Sequence, residues 1–163
     1  MLPGRNHPLD DAQRKGIKAN YDAVWEMVRK QVFAFPMEKA NRLFDNFTPE
    51  EHERIFDAGW EAGGFRFVFE TFDDITSNER ANAAAAEYVR RKIRAIVKDP
   101  KTAAALKPYY PYGCKRPTFH DEFLPTFNLP HVTLVDTAPG GVGRISERGV
   151  VHDGVEYPLD VLI

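Results

Sequence analysis

Apolar residues recur at helical spacing in three stretches between Asp10 and Val97, and then give way to proline-broken and alternating patterns. After an extended start, Ile17, Tyr21, Val24, Trp25, Val28 and Val32 form one stripe, with Lys18, Asp22, Arg29 and Lys30 off it. That spacing predicts one long amphipathic helix opened by Asp10 and Asp11. Further on, Thr48-Pro49-Glu50-Glu51 supplies an N-cap, a proline at the first helical position and a carboxylate placed to reach back to the cap, so a second helix starts there. It buries Ile55, Phe56 and Trp60 and stops at Gly63-Gly64, which suit a left-handed terminus. The aromatic run Phe65, Phe67, Phe69, Phe72 fits either a strand or a tight continuation of the helix. Ser77 caps a third helix whose stripe is Ala81, Ala85, Tyr88, Val89, Ile93, Ile96 and Val97. Asp99-Pro100 ends it, and Asp99 is placed to cap a short fourth helix ending before Pro108.

From Pro108 the pattern changes. Pro108, Pro111, Pro117, Pro125 and Pro130 interrupt a stretch dense in Tyr109, Tyr110, Tyr112, Phe119, Phe123 and Phe127, which reads as an irregular but packed loop. Val132–Val135 reads as a buried strand and Arg144–Glu147 as a second. Val150-Val151-His152 and Val155-Glu156-Tyr157 flank Asp153-Gly154, a hairpin turn signal. Leu159–Ile163 reads as an apolar strand that stops abruptly, as in a chain cut from something longer. The fold class expected is therefore α+β, with helices first and a small antiparallel β-meander last.

Composition narrows the classes of partner. Lys and Arg number 22 against 24 Asp and Glu, a net charge of −2, too balanced for a dedicated nucleic-acid binder or a basic membrane-surface protein. Hydrophobic residues make up 43%, enough for a folded core. Cys114 is the single cysteine among 163 residues. It allows no intrachain disulfide, argues against a thiolate metal cage and fits a reducing, cytoplasmic setting. No apolar run is long enough to span a bilayer or serve as a signal peptide.

Candidate chemistry is sparse. Gly141-Val142-Gly143-Arg144-Ile145-Ser146 follows a predicted strand and nearly matches a dinucleotide fingerprint. A pyrophosphate site needs a helix N-terminus next, whereas Glu147-Arg148-Gly149 and a hairpin follow, so a glycine-rich connection is the better reading. His120, Asp121 and Glu122 are adjacent, but consecutive residues of an extended loop point apart, and no metal site is assigned. Packing accounts for Trp25, Trp60 and Tyr88. Gly113-Cys114-Lys115-Arg116-Pro117 differs in kind, since two adjacent cations in a stiff aromatic loop face different ways. A held guanidinium suits an anionic intermediate and a neighbouring ammonium suits a phosphate. Two ordinary solvated cations remain the alternative.

At this loop a family resemblance emerges. The runs Val97-Lys98-Asp99-Pro100-Lys101-Thr102-Ala103, Tyr110-Pro111-Tyr112-Gly113-Cys114-Lys115-Arg116-Pro117 and Thr126-Phe127-Asn128-Leu129-Pro130-His131-Val132-Thr133-Leu134-Val135-Asp136 resemble the flavin-dependent Baeyer-Villiger monooxygenases. Asn20–Trp25, Gly59–Phe65 and Ala83–Glu87 agree, so nearly the whole chain is covered. Members have an FAD domain and an inserted NADP domain, each with its own fingerprint, and a signature of the form F-x-G-x-x-x-H-x-x-x-W. None of these occurs here, so the resemblance implies an internal fragment. Residues 1–107 would be the helical part of the NADP-binding domain, 108–130 the active-site loop, and 131–163 strands returning towards the FAD-binding domain.

The resemblance further implies FAD and NADPH as cofactors and a ketone and O2 as substrates, with one oxygen atom inserted to give an ester or lactone. Arg116 matches the family's active-site arginine, which lies near the flavin and stabilises negative charge during oxygenation. Lys115 matches the lysine that contacts the 2′-phosphate of NADPH. Without the missing FAD and NADP domains the segment is expected to be inactive. Two alternatives are a related flavin monooxygenase acting on nitrogen or sulfur and a non-catalytic helical interaction module.

Overall fold

The computed structural model describes residues 1–31, 34–35, 37 and 39–163. They form two compact units, Met1–Leu129 and Pro130–Ile163.

The first helical stripe is divided. Helix α1 (Asp11–Ala19) opens with a capping box in which Asp10 and Gln13 exchange side-chain bonds with each other's backbone. The long helix expected from the spacing breaks at Asn20, and α2 (Tyr21–Lys30) starts afresh. Asn20 turns its side-chain amide back onto the Gly16 carbonyl at 2.8 Å, a local bond that competes with helix propagation. Neither helix buries a residue, and Trp25, expected in the core, is 55% exposed. Val32, the last residue of the expected stripe, lies outside the described residues.

The core lies between α3 (Pro49–Ala62) and α5 (Glu79–Ile96). Thr48 and Glu51 form the expected capping box around Pro49, and α3 ends at Gly63 with φ 70°. The ambiguous aromatic run resolves as a short helix, α4 (Arg66–Phe69). This helical turn and the bend after it bury Phe67 and Phe72 completely. Their rings meet Phe56, at 5.6 Å from Phe67 and 5.4 Å from Phe72, and Tyr88 stands 5.6 Å from Phe67. A strand would have sent alternate rings to opposite faces instead. Fully burying side chains of this size stabilises the unit by about 1.5–3 kcal/mol each.

Helix α5 carries the expected stripe inward, with only Ile96 left partly exposed. Its N-cap is Asn78 rather than Ser77, because the Asn78 side chain accepts from the Arg80 and Ala81 amides. Asp99 caps α6 (Pro100–Leu106) as expected. The later loop contains one short helix, α7 (Phe123–Thr126), which buries Leu124.

In the second unit the hairpin forms as read. Strand β1 (Arg144–Ile145), β2 (Gly149–His152) and β3 (Val155–Pro158) make a three-stranded antiparallel meander, with His152 opposite Val155. Asp153 and Gly154 both take positive φ, 49° and 78°, the geometry of a turn whose twist matches the strands. The strands expected over Val132–Val135 and Leu159–Ile163 are absent. The Leu159 amide donates to the Arg148 carbonyl at 2.9 Å just beyond the last β2–β3 pair, but no strand continues from it, and Leu159, Val161, Leu162 and Ile163 are exposed. Apolar alternation specifies a strand only where a partner edge is available.

Candidate functional site

The stretch after α6 is irregular, yet side chains tie it down at successive points. Arg90 on α5 donates through Nε to the Pro108 carbonyl at 2.9 Å. Asn82, two turns earlier on the same helix, clamps Tyr112. Its Oδ1 accepts the Tyr112 N–H at 2.9 Å, and its Nδ2 donates to the Tyr112 carbonyl at 2.8 Å and the Ile75 carbonyl at 3.1 Å. At the far end Asn128 donates to the Ile96 carbonyl and accepts from the Lys98 amide, each at 2.8 Å, so the loop also closes the C-terminal end of α5. Beyond the site residues, Leu2 pairs with this loop, donating to Thr118 and accepting from His120 at 3.0 Å each.

Between these anchors the chain makes a tight turn. The Cys114 amide donates to the Pro111 carbonyl at 3.2 Å, and Gly113 has φ 83°. A positive φ at the third of four positions marks a type II turn, which glycine occupies without steric cost. Tyr112, just before it, packs its ring 5.8 Å from Phe67. The Tyr112 hydroxyl is buried with no hydrogen-bond partner among the described residues, and burial pushes its pKa up.

Lys115 and Arg116 emerge directly from this turn, both exposed. The Lys115 ammonium lies 5.0 Å from the Tyr110 ring centre, a cation–π placement. Among the described residues neither cation has a carboxylate partner. By contrast, Arg80, Arg91 and Arg94 on α5 are each paired, at 2.6 Å, with Asp45, Glu53 and Glu87. Both free cations line a cavity of about 100 Å³ together with Tyr110, Tyr112 and Pro117. A larger groove of about 610 Å³ runs beside it along the start of α5, and Tyr112 and Gly113 border both. Pockets that enclose a drug-sized ligand measure roughly 300–1,000 Å³. The cavity at the cations is by itself smaller than that range, and the neighbouring groove falls within it. The donors match the charge of the implied cofactors, since a point ammonium suits a phosphate dianion and a forked guanidinium suits an oxyanion.

The other candidates resolve differently. Asp121 accepts from the Arg5 amide at 2.9 Å and from its guanidinium at 3.3 Å, while His120 Nδ1 accepts the Glu122 amide at 3.1 Å. Among the described residues no group of three or more His, Cys, Asp or Glu side chains is placed to hold a metal ion. The glycine-rich run forms a turn at Gly141, φ 73°, and leads straight into β1. The Gly143 amide donates to the Val151 carbonyl at 3.0 Å. Sequence patterning gives no role to Asn82, Arg90 or Asn128. The one local signal for Asn82 and Arg90 is a polar residue beside the buried stripe of α5, which many solvated helices share, and Asn128 figures only within the family-like run Thr126–Asp136.

On the surface between α3 and α5, the Tyr88 hydroxyl donates to Asp57 at 2.6 Å and Lys92 donates to the same carboxylate at 2.9 Å. The Tyr88 bond, then Lys92, holds the Asp57 carboxyl below the usual range. Burial, then the bond to Asp57, pushes the Tyr88 phenol up. This network fixes α3 to α5 on the side of the core where Trp60 also meets Lys92, 5.7 Å from ring centre to ammonium.

No family model matches the sequence. A Baeyer-Villiger monooxygenase of Pseudooceanicola batsensis is 39% identical over 165 residues, which span 100% of this chain and 30% of that protein. The phenazine N-monooxygenase PhzNO1 of Lysobacter antibioticus is 37% identical over 99% of this chain and 30% of its own length. The crystal structure of cyclohexanone monooxygenase from Rhodococcus sp. Phi1 bound to NADP+ superposes with a TM-score of 0.91 at 39% identity, over 98% of this chain and 30% of that one. The chain thus spans about 30% of the length of the relatives it matches. No helix among the described residues is long and apolar enough to cross a membrane. With a sequence match along its whole length and a superposition over 98% of it, the chain belongs to the Baeyer-Villiger monooxygenase family.

Proposed function

We propose that this chain is part of an FAD- and NADPH-dependent monooxygenase that inserts one atom of O2 into a ketone to give an ester or lactone. In this reading residues 1–107 are the helical part of the NADP-binding domain, 108–130 the active-site loop, and 131–163 the strands leading towards the FAD-binding domain. FAD and NADPH supply the redox chemistry when bound. The chain's own contribution is charge held in place. Arg116 presents a permanent cation with a fork of N–H donors to the oxygen that becomes anionic as the ketone carbonyl is attacked. Lys115 presents a point charge to the 2′-phosphate that distinguishes NADPH from NADH.

One observation carries this reading. Two adjacent cations leave a turn that helix α5 clamps through Tyr112, and both line one concavity without a carboxylate partner among the described residues. Solvated cations need no such mount.

The test is a chimera in which this chain replaces the matching segment of the Rhodococcus cyclohexanone monooxygenase. Ester or lactone formation with ketone and NADPH is the expected outcome. A chimera that folds and binds FAD yet makes none overturns the reading. Lys115→Ala in that chimera is expected to raise the NADPH KM about tenfold, the scale of one lost charge-assisted hydrogen bond, with the NADH KM unchanged. Equal changes for both coenzymes contradict phosphate contact. The likeness to a protein named phenazine N-monooxygenase supports a second acceptor class, nitrogen heterocycles. Product analysis separates the two, because N-oxide formation without any ester excludes the ketone reading.

A further inference from the structure

Asn82 stands 30 residues from Tyr112 in sequence, yet its amide meets both backbone polar groups of that residue. Tyr112 is the second residue of the Pro111–Cys114 turn and Gly113, with its positive φ, is the third. The peptide joining them is the one whose orientation separates type II turns from type I. Its carbonyl is the Tyr112 oxygen that accepts from Asn82 Nδ2 at 2.8 Å. Both Asn82 donor protons are committed, the other to the Ile75 carbonyl at 3.1 Å, and Oδ1 holds the Tyr112 N–H. A flipped amide would set an NH2 group against an N–H and an oxygen against two carbonyls, so the clamp admits one orientation.

We propose that Asn82 is a positioning residue for Lys115 and Arg116. By holding the Tyr112–Gly113 peptide in its type II orientation, it directs the chain so that the Lys115 ammonium sits over the Tyr110 ring and Arg116 lines the same cavity. The proposal rests on the roles given to Lys115 and Arg116 above and adds the residue that sets their direction. Asn128, which ties the other end of the loop to Ile96 and Lys98, does not share this function, because its bonds lie beyond the turn.

A spectroscopic signature tests this in the 163-residue chain itself. A side chain held over an aromatic ring has upfield-shifted protons, so the Lys115 ε-methylene resonances report its seat on Tyr110. Asn82→Ala is expected to return them to random-coil values, while Asn128→Ala leaves them in place. Asn82→Asp keeps the size and the acceptor for the Tyr112 N–H, loses both donors and guards against a failure of Asn82→Ala to fold. The same loss of shift is expected in it, with the Phe67 and Phe72 core resonances unmoved. Persistence of the Lys115 shift in both Asn82 variants overturns the proposal, as does an equal loss in Asn128→Ala, which would mark general loosening.

Adenosine 2′,5′-bisphosphate then probes the phosphate role separately. In the wild-type chain it is expected to move the Lys115 and Arg116 amide resonances, and in Asn82→Asp to do so with about tenfold weaker affinity, the equivalent of one or two lost hydrogen bonds. A wild-type chain that does not respond overturns the phosphate role of Lys115, while the methylene comparison still decides whether Asn82 directs that side chain.

Discussion

Helices α2 and α5 both carry an apolar stripe of equal legibility, and the structure uses them in opposite ways. Tyr88 of α5 packs on Phe56, Trp60 and Phe67 and, like Val89 and Ile93, is buried in the core, whereas Tyr21 and Trp25 of α2 are half exposed and no residue of α2 is buried. The period of a stripe therefore specifies a helix, and only the facing surface specifies a core. Helix α5 has such a surface on two sides. One side meets the α3–α4 aromatics, and the other holds the Pro108–Asn128 loop through Asn82, Arg90 and the end of the helix at Ile96. A helix fixed by three rings packed on its Tyr88 is a rigid mount for a loop with little regular structure of its own.

The contrast is tested most strongly by truncating Phe67, the α4 ring that packs on Tyr88 of α5, and Trp25 of α2. Phe67→Ala is expected to cost about 3–5 kcal/mol, as for other large core rings, and Trp25→Ala no more than about 0.5 kcal/mol, both read by denaturant unfolding of the chain. Comparable losses at the two positions would mean that α2 is covered as α5 is. Next in size is the start of α3. Thr48→Ala removes one arm of the capping box and should lower stability by about 1 kcal/mol, visible as a lower unfolding midpoint at unchanged slope.

The smallest expected effect lies in the surface network joining the two core helices. The Asp57 carboxyl is held below its ordinary value by Tyr88 and Lys92. A depressed carboxyl contributes stability that is present above its unfolded pKa of about 3.9 and lost as pH falls through the lower folded value. Asp57→Asn should therefore flatten the fall in stability below about pH 4 and lower stability slightly at neutral pH. An unchanged acid slope would show that the Tyr88 bond does not discriminate the ionised form. The carboxylate is largely exposed, so solvent screening keeps the effect modest.

Local signals wrote much of this fold into the sequence. Thr48-Pro49-Glu51, Asp99-Pro100 and Asp153-Gly154 each satisfy or shape the backbone within four residues, and each element appears where those residues place it. What depends on distant partners was not legible. Val132–Val135 and Leu159–Ile163 have the apolar character of strands but do not form them. The break at Asn20 turned on a side chain choosing Gly16 over solvent. In the site, Lys115 and Arg116 stood out as adjacent cations in a stiff loop, whereas Asn82 lies 30 positions from the Tyr112 whose backbone it clamps, where only the folded chain brings amide and peptide together.

The proposed role of Arg116 is to present its cation, from the wall of the cavity it lines, to an anion that forms during oxygen insertion. The most direct measurement is the ester formed per NADPH consumed by Arg116→Ala in the chimera with cyclohexanone monooxygenase. Under the proposed function, product is expected to vanish while NADPH consumption continues, since in that reading the guanidinium serves the ketone-derived oxyanion and Lys115 serves the coenzyme. An ester yield equal to that of the unmutated chimera would contradict it.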